Sequence, residues 1–153
     1  MPAWRSQRVR AGGDWLPDEM GALKRSGIDL LVSLLTQAEE EQFQLGSEGR
    51  IAESAGIHYI SFPTEDRSVP DSLEQSLSLF QDLSRQLGNG RNVAVHCRQS
   101  IGRSSLIAAG VLIASGIAVK NALAAVREAR GFDVPETAAQ LEWVERLPVG
   151  AVR

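Results

Sequence analysis

The 153-residue chain contains one cysteine, Cys97, and two histidines, His58 and His96. A lone cysteine closes no intrachain disulfide and builds no cysteine-based zinc cluster, so a reducing, cytoplasmic setting is the default expectation. Two histidines so far apart in sequence argue against a metal site, and no metal or cofactor is expected. There is no basic excess either: 16 Lys and Arg face 19 Asp and Glu, a formal charge of −3. Such a chain lacks the electrostatic footprint of a general nucleic-acid binder, although it leaves room for a small basic pocket. Met1-Pro2-Ala3-Trp4-Arg5 is followed by no apolar run, so no signal peptide is read. The longest uncharged stretch, Ser104 to Val119, counts 16 residues. That falls short of the roughly 20 apolar residues of a membrane span. With Gly110, Gly116, Ser104, Ser105 and Ser115 inside it, it reads as a helix buried on all sides. There is no internal repeat, linker-like stretch or composition break.

Hydrophobic residues make up 43% and charged residues 23%, the balance of a globular domain large enough to bury a core without staples. Residues 1–153 read as one domain, expected to be a monomer. Leu16, Met20 and Leu23 share one face of a helix over Leu16 to Arg25, which Ser26-Gly27 ends. Asp29 to Leu34 is a short apolar run, as in a buried parallel strand. Ala38 to Ala55 carries one or two polar helices interrupted near Gly46, and its Glu39-Glu40-Glu41 run reads as a solvated face. His58 to Phe62 alternates and stops at Pro63, giving a strand with His58 at an inward or edge position. Asp71 to Leu87 is helical, with a stripe of Leu73, Leu77, Phe80, Leu83 and Leu87 and a capping box from Asp71 and Glu74. Gly88-Asn89-Gly90 turns the chain into the strand Val93 to His96. Helices follow from Arg103 to about Ser115, from Val119 to Arg130, and from Glu136 to Leu147 with Pro135 set for its first turn. Strands alternating with helices predict an α/β domain with a mostly parallel sheet, whose ligands sit at the carboxyl ends of strands.

At one such end stands His96-Cys97-Arg98-Gln99-Ser100-Ile101-Gly102-Arg103-Ser104. Gly102 permits a tight turn into the helix that starts at Arg103. Backbone N–H groups of a loop leading into a helix N-terminus cradle a tetrahedral oxyanion, and an arginine adds a planar fork of donors. The same surroundings favour a thiolate. A free thiol is only about 3% ionised at pH 7, and a fall of about 3 pKa units would ionise nearly all of it. A thiolate in line with a bound phosphorus can attack it.

These residues fit the Cys-x5-Arg signature of the cysteine-dependent protein tyrosine phosphatases, here His-Cys-x5-Arg-Ser, and the chain resembles the small dual-specificity group from about Arg10 to Leu147. The resemblance implies a central, mostly parallel sheet of about four to five strands flanked by helices, with the phosphate-binding loop between a strand and a helix. It implies Cys97 as nucleophile and Arg98, Gln99, Ser100, Ile101, Gly102 and Arg103 as the phosphate-binding loop. His96 would orient that loop, and Ser104 would stabilise the departing thiolate. Asp66, 97 − 66 = 31 residues before the cysteine, matches the general acid of an upstream loop, Phe62 to Pro70. The adjacent Glu65 is the competing candidate. Gln140 resembles a glutamine that places the hydrolytic water.

The implied activity is metal-independent hydrolysis of phosphotyrosine, phosphoserine or phosphothreonine in a phosphorylated protein or peptide. Three alternatives stand beside it. One is a phosphatase of a phosphoinositide, nucleotide or other small phosphomonoester, although the loop lacks the lysines that resemble lipid-phosphatase loops. The others are a rhodanese-like sulfurtransferase and a non-catalytic phosphopeptide binder. Arg67 and Arg98 flank the expected pocket, either attracting a second negative group or standing in solvent. Trp4, Trp15 and Trp143 read as core or surface anchors.

Overall fold

A computed structural model of the chain describes residues 15–98, 102–131 and 133–150. Trp4 and the loop residues Gln99, Ser100 and Ile101 lie outside the described residues. The elements run in the order α1 (Leu16–Arg25), β1 (Leu30–Ser33), α2 (Gln37–Gln42), α3 (Glu48–Ser54), β2 (His58–Ser61), α4 (Leu73–Gly88), β3 (Val93–His96), α5 (Arg103–Ala114), α6 (Val119–Arg130) and α7 (Ala138–Glu145). The α/β class holds. Among the described residues the parallel sheet has three strands rather than four to five, in the order β2-β1-β3. The strands are the two short apolar runs at Leu30–Ser33 and Val93–His96 and the alternating segment His58–Ser61.

Leu30 of β1 is in register with His58 and with Val93, and Ser33 with Ser61 and His96. The start of that register is pinned from both sides. Asn92 N–H donates to the Asp29 carboxylate at 2.9 Å, while Asp29 and Leu30 donate to the Asn92 carbonyl. Strand alternation then splits the core in two. Leu30, Val32, Leu34, Val93, Val95 and Cys97 face the larger cluster, with Phe80 and the helix α5. Leu31, Leu35 and Ala94 face the smaller one, with Leu16, Met20 and Leu23 of α1.

Helix α5 is buried on nearly every face, as its uncharged sequence predicts, and packs against α4, α6, α7 and β3. Gly110 lets α4 approach: a Cβ there would collide with the ring of Phe80. Two helix starts differ from expectation. Ser72, not Asp71, caps α4 and accepts from Gln75 N–H; the helix buries Ser76, Leu79, Phe80 and Leu83, packs Leu77 and Leu87 against the core, and leaves Leu73 49% exposed. Thr137 caps α7 in a reciprocal box with Gln140, so Pro135 lies before that helix rather than in its first turn.

Candidate active site

β3 ends at His96 and delivers Cys97 to the carboxyl edge of the sheet, opposite the N-terminus of α5. Asp66, Arg67, Cys97, Arg98, Gly102, Arg103 and Glu136 line a pocket of about 620 Å3, part of it open to solvent. Cys97 is buried at its floor, and Ser104 Oγ donates to its Sγ at 3.2 Å. A hydroxyl in that place stabilises negative charge on sulfur. Gly102, the residue before α5, has an ordinary right-handed backbone (φ −83°). It is therefore not needed for a tight turn. Space beside it is tight, since a Cβ would stand 2.9 Å from Gln140 Oε1 and 3.0 Å from Glu136 Oε2.

The Arg103 guanidinium is held on several sides. Nη1 donates to Glu39 Oε1 (2.6 Å) and the Thr64 carbonyl (2.8 Å), with a longer contact to the Leu34 carbonyl (3.4 Å). Nη2 donates to Glu39 Oε2 (2.9 Å) and stands 3.6 Å from Asp66 Oδ1. Burial works against the charge on Arg103, but the bonded Glu39 carboxylate, the Cys97 sulfur and the Asp66 carboxylate outweigh it and hold the group above its usual value. Burial likewise pushes Glu39 up, and Arg103 with the Thr36 backbone N–H more than reverses it, so its carboxyl lies below the usual carboxylate range. Glu39 is thus no solvated face residue, which corrects the reading of the Glu39-Glu40-Glu41 run. Thr36 caps α2 and forms a box with Glu39, which aims that side chain inward.

His96 points to the opposite side of the sheet from Cys97. Its Nε2 meets Glu48 Oε1 at 2.6 Å, both groups buried, beside a small, largely apolar cavity of about 30 Å3 under α1. Burial and the Glu48 charge push the neighbouring Tyr59 phenol well up. Glu48 carries no sequence signal: it opens a short polar helix after Gly46-Ser47 and finds its partner 48 residues away. His58 sits on the edge strand, exposed, 3.5 Å from Glu53.

Of the residues nominated from sequence, Cys97, Arg98, Gly102, Arg103 and Asp66 converge on one pocket, with Ser104 behind the sulfur. Arg98 stacks over the Phe43 ring at 5.5 Å. Glu65 is exposed and does not line the pocket. Gln140 is fully buried beside it. Glu136, which sequence reasoning missed, contributes a wall and binds Arg67 at 2.6 Å. Among the described residues no group of three or more His, Cys, Asp or Glu could hold a metal ion, and no helix is long and apolar enough to cross a membrane.

Comparison with known proteins gives the family and the fold. Residues 10–117 match a family described as Tc-R-P, polymorphic toxin system, DSP-PTPase phosphatase. Cyclin-dependent kinase inhibitor 3 of Rattus norvegicus is 27% identical over 127 residues, 82% of this chain and 59% of that protein. The chain therefore spans about 59% of the length of the curated relatives it matches. The crystal structure of kinase associated phosphatase with its catalytic-site cysteine replaced by serine is similar at a TM-score of 0.80 and 21% identity, covering 91% of this chain and 82% of that one. Tk-PTP in its active form gives a TM-score of 0.76 at 26% identity, covering 93% and 88%.

Proposed function

The chain belongs to the DSP-PTPase phosphatase family, and from that premise we propose that it is a metal-independent phosphatase of phosphotyrosine, phosphoserine or phosphothreonine in proteins, working through a phosphocysteine. One observation carries the reading. The Cys97 sulfur, the buried Arg103 fork and the Asp66 carboxylate line a single pocket at the N-terminus of α5.

In the first step Cys97 Sγ bonds to phosphorus and the P–O bond to the substrate breaks, while Asp66 gives its proton to the departing oxygen. A positioned acid of this kind contributes about 10²–10⁴-fold. In the second step water attacks phosphorus, Asp66 takes its proton, and the S–P bond breaks to return the thiolate, which Ser104 Oγ–H stabilises. Arg103 and the loop leading to α5 hold the transferring group throughout, supplying the positive field that metal ions supply elsewhere. The reading places this chemistry in a monomer and in a reducing, cytoplasmic setting, supported by the single thiol.

The test is phosphate release, without added metal, from p-nitrophenyl phosphate and from phenyl phosphate, whose leaving group needs the acid. Turnover is expected from the wild type, none from Cys97→Ser, and about 10²-fold less or lower from Asp66→Asn on substrates that need an acid. Cys97→Ser should still bind tungstate, since the cradle remains. Turnover by pure Cys97→Ser sinks the covalent mechanism. Phosphopeptides against phosphoinositides then rank the protein reading against a small phosphomonoester, and thiosulfate-to-cyanide transfer tests the sulfurtransferase.

A further inference from the structure

Gln140 has no exposed surface, and its amide makes three hydrogen bonds to the backbone. Oε1 accepts from the backbone N–H of Glu136 at 3.0 Å and of Thr137 at 3.2 Å, which fills both lone pairs. Nε2 donates to the carbonyl of Ser68 at 3.0 Å, two residues past Asp66. Two more contacts run alongside. Arg67 Nη1 donates to Glu136 Oε1 at 2.6 Å, and Thr137 Oγ1 donates to the Arg67 carbonyl at 3.5 Å. Between them the backbone at Arg67 is left-handed, φ +60°. A non-glycine residue holds that conformation only where its surroundings over-determine it. The start of α7 and the segment before it thus grip the loop that carries Asp66, and Gln140 is the buried centre of the grip.

We propose that Gln140 is a positioning residue, which holds the acid loop so that Asp66 stands over the cradle, and that placing the attacking water is not its task. The proposal rests on the phosphatase reading with Asp66 as the acid. It removes Gln140 from the second chemical step and makes it matter in the first, in proportion to how badly the leaving group needs a proton.

Leaving-group dependence separates the two roles. p-Nitrophenolate departs with little help, whereas phenolate needs the acid. Gln140→Met keeps the volume and removes the hydrogen bonds. It is expected to lower kcat/KM for phenyl phosphate by about tenfold or more, part of what a positioned acid contributes. The loss for p-nitrophenyl phosphate should be smaller by about threefold or more. The selective loss should vanish in the Asp66→Asn background, because there is no acid left to position. The opposite result is a kcat/KM unchanged on both substrates, with kcat for p-nitrophenyl phosphate lowered and a rapid burst of p-nitrophenolate before a slow steady state. That pattern marks a phosphocysteine waiting for water and overturns the proposal. Should Gln140→Met fail to fold, Glu136→Gln, which cuts the more exposed pair with Arg67, carries the test; a loss there that is equal on both substrates, or absent, also overturns it. Asp66→Asn as fast as wild type on phenyl phosphate defeats the underlying assignment of the acid. A slow Asp66→Asn beside an unselective Gln140→Met defeats the positioning role alone.

Discussion

Replacing Glu39 by glutamine keeps the volume of the side chain and removes the charge that faces Arg103. The two groups meet through paired bonds of 2.6 and 2.9 Å, with side-chain exposures of 12% and 1%. Deleting one partner of a buried ion pair costs about 3–5 kcal/mol, because the survivor is left uncompensated. Arg103 keeps the Thr64 and Leu34 carbonyls and the Asp66 carboxylate at 3.6 Å, so the low end applies, about 3 kcal/mol. At about 2–4 °C per kcal/mol for a domain of this size, Tm should fall by about 6–12 °C at pH 7. The sign with pH follows from the lowered Glu39 carboxyl. Its contribution is complete above the ordinary value of 4.5 and disappears as pH falls through the lower value it has in the folded chain. The difference in Tm between wild type and Glu39→Gln should therefore be full at neutral pH and close progressively in acid. Differential scanning fluorimetry from neutral to acidic pH reads it directly. In parallel, kcat/KM should drop by about tenfold or more, less than the 10²–10³ that follows outright removal of an oxyanion donor. A Tm change below about 2 °C, or a difference that stays constant into acid, refutes the reasoning that this pair is a buried ionic clamp.

Gly110→Ala forces a methyl into the Phe80 ring at the α4–α5 contact. Overpacking costs typically about 1–3 kcal/mol and should exceed the roughly 1 kcal/mol gained in helix propensity, so urea unfolding should show a lower midpoint while turnover of the folded enzyme stays unchanged. Dilute peroxide should inactivate the enzyme and dithiothreitol restore it, with tungstate protecting the site; activity untouched by peroxide would contradict an attacking thiolate at Cys97.

Much of the fold was legible because the signals were local. Val93 to His96 and Val119 to Arg130 have the bounds their periodicity predicts, and the long uncharged run is the buried helix α5. The pocket was legible through one motif, which places Cys97 and Arg103 at the two ends of a loop. Asp66 reaches it from the loop after β2. What stayed hidden depends on contacts between distant segments. Glu39 lies 64 residues from Arg103, in a run of three glutamates that gives no hint which one turns inward, although the Thr36-x-x-Glu39 pattern is a local cue for a cap. Glu48 has no cue at all. The apolar stripe of α4 holds for Leu77, Phe80, Leu83 and Leu87, and fails at Leu73, which stands next to the Ser72 cap and is exposed. The crowding at Gly102 was hidden too, since the atoms nearest to it come from Glu136 and Gln140, far along the chain.

The pinned pairing of β1 with β3 also bears on how this domain tolerates insertions and deletions. Neighbouring positions on β3 belong to opposite worlds: His96 looks toward Glu48 and α1, Cys97 toward α5. A shift of one residue exchanges the two faces of a strand. A residue inserted between Asn92 and Val93 would thus carry the imidazole toward the cradle and the sulfur toward the underside of the sheet. Val93 and Val95 would move to the cavity face at the same time. The apolar residues of this strand act as a reading frame for the chemistry, and a frameshift within it leaves every letter of the motif intact while addressing each one to the wrong side.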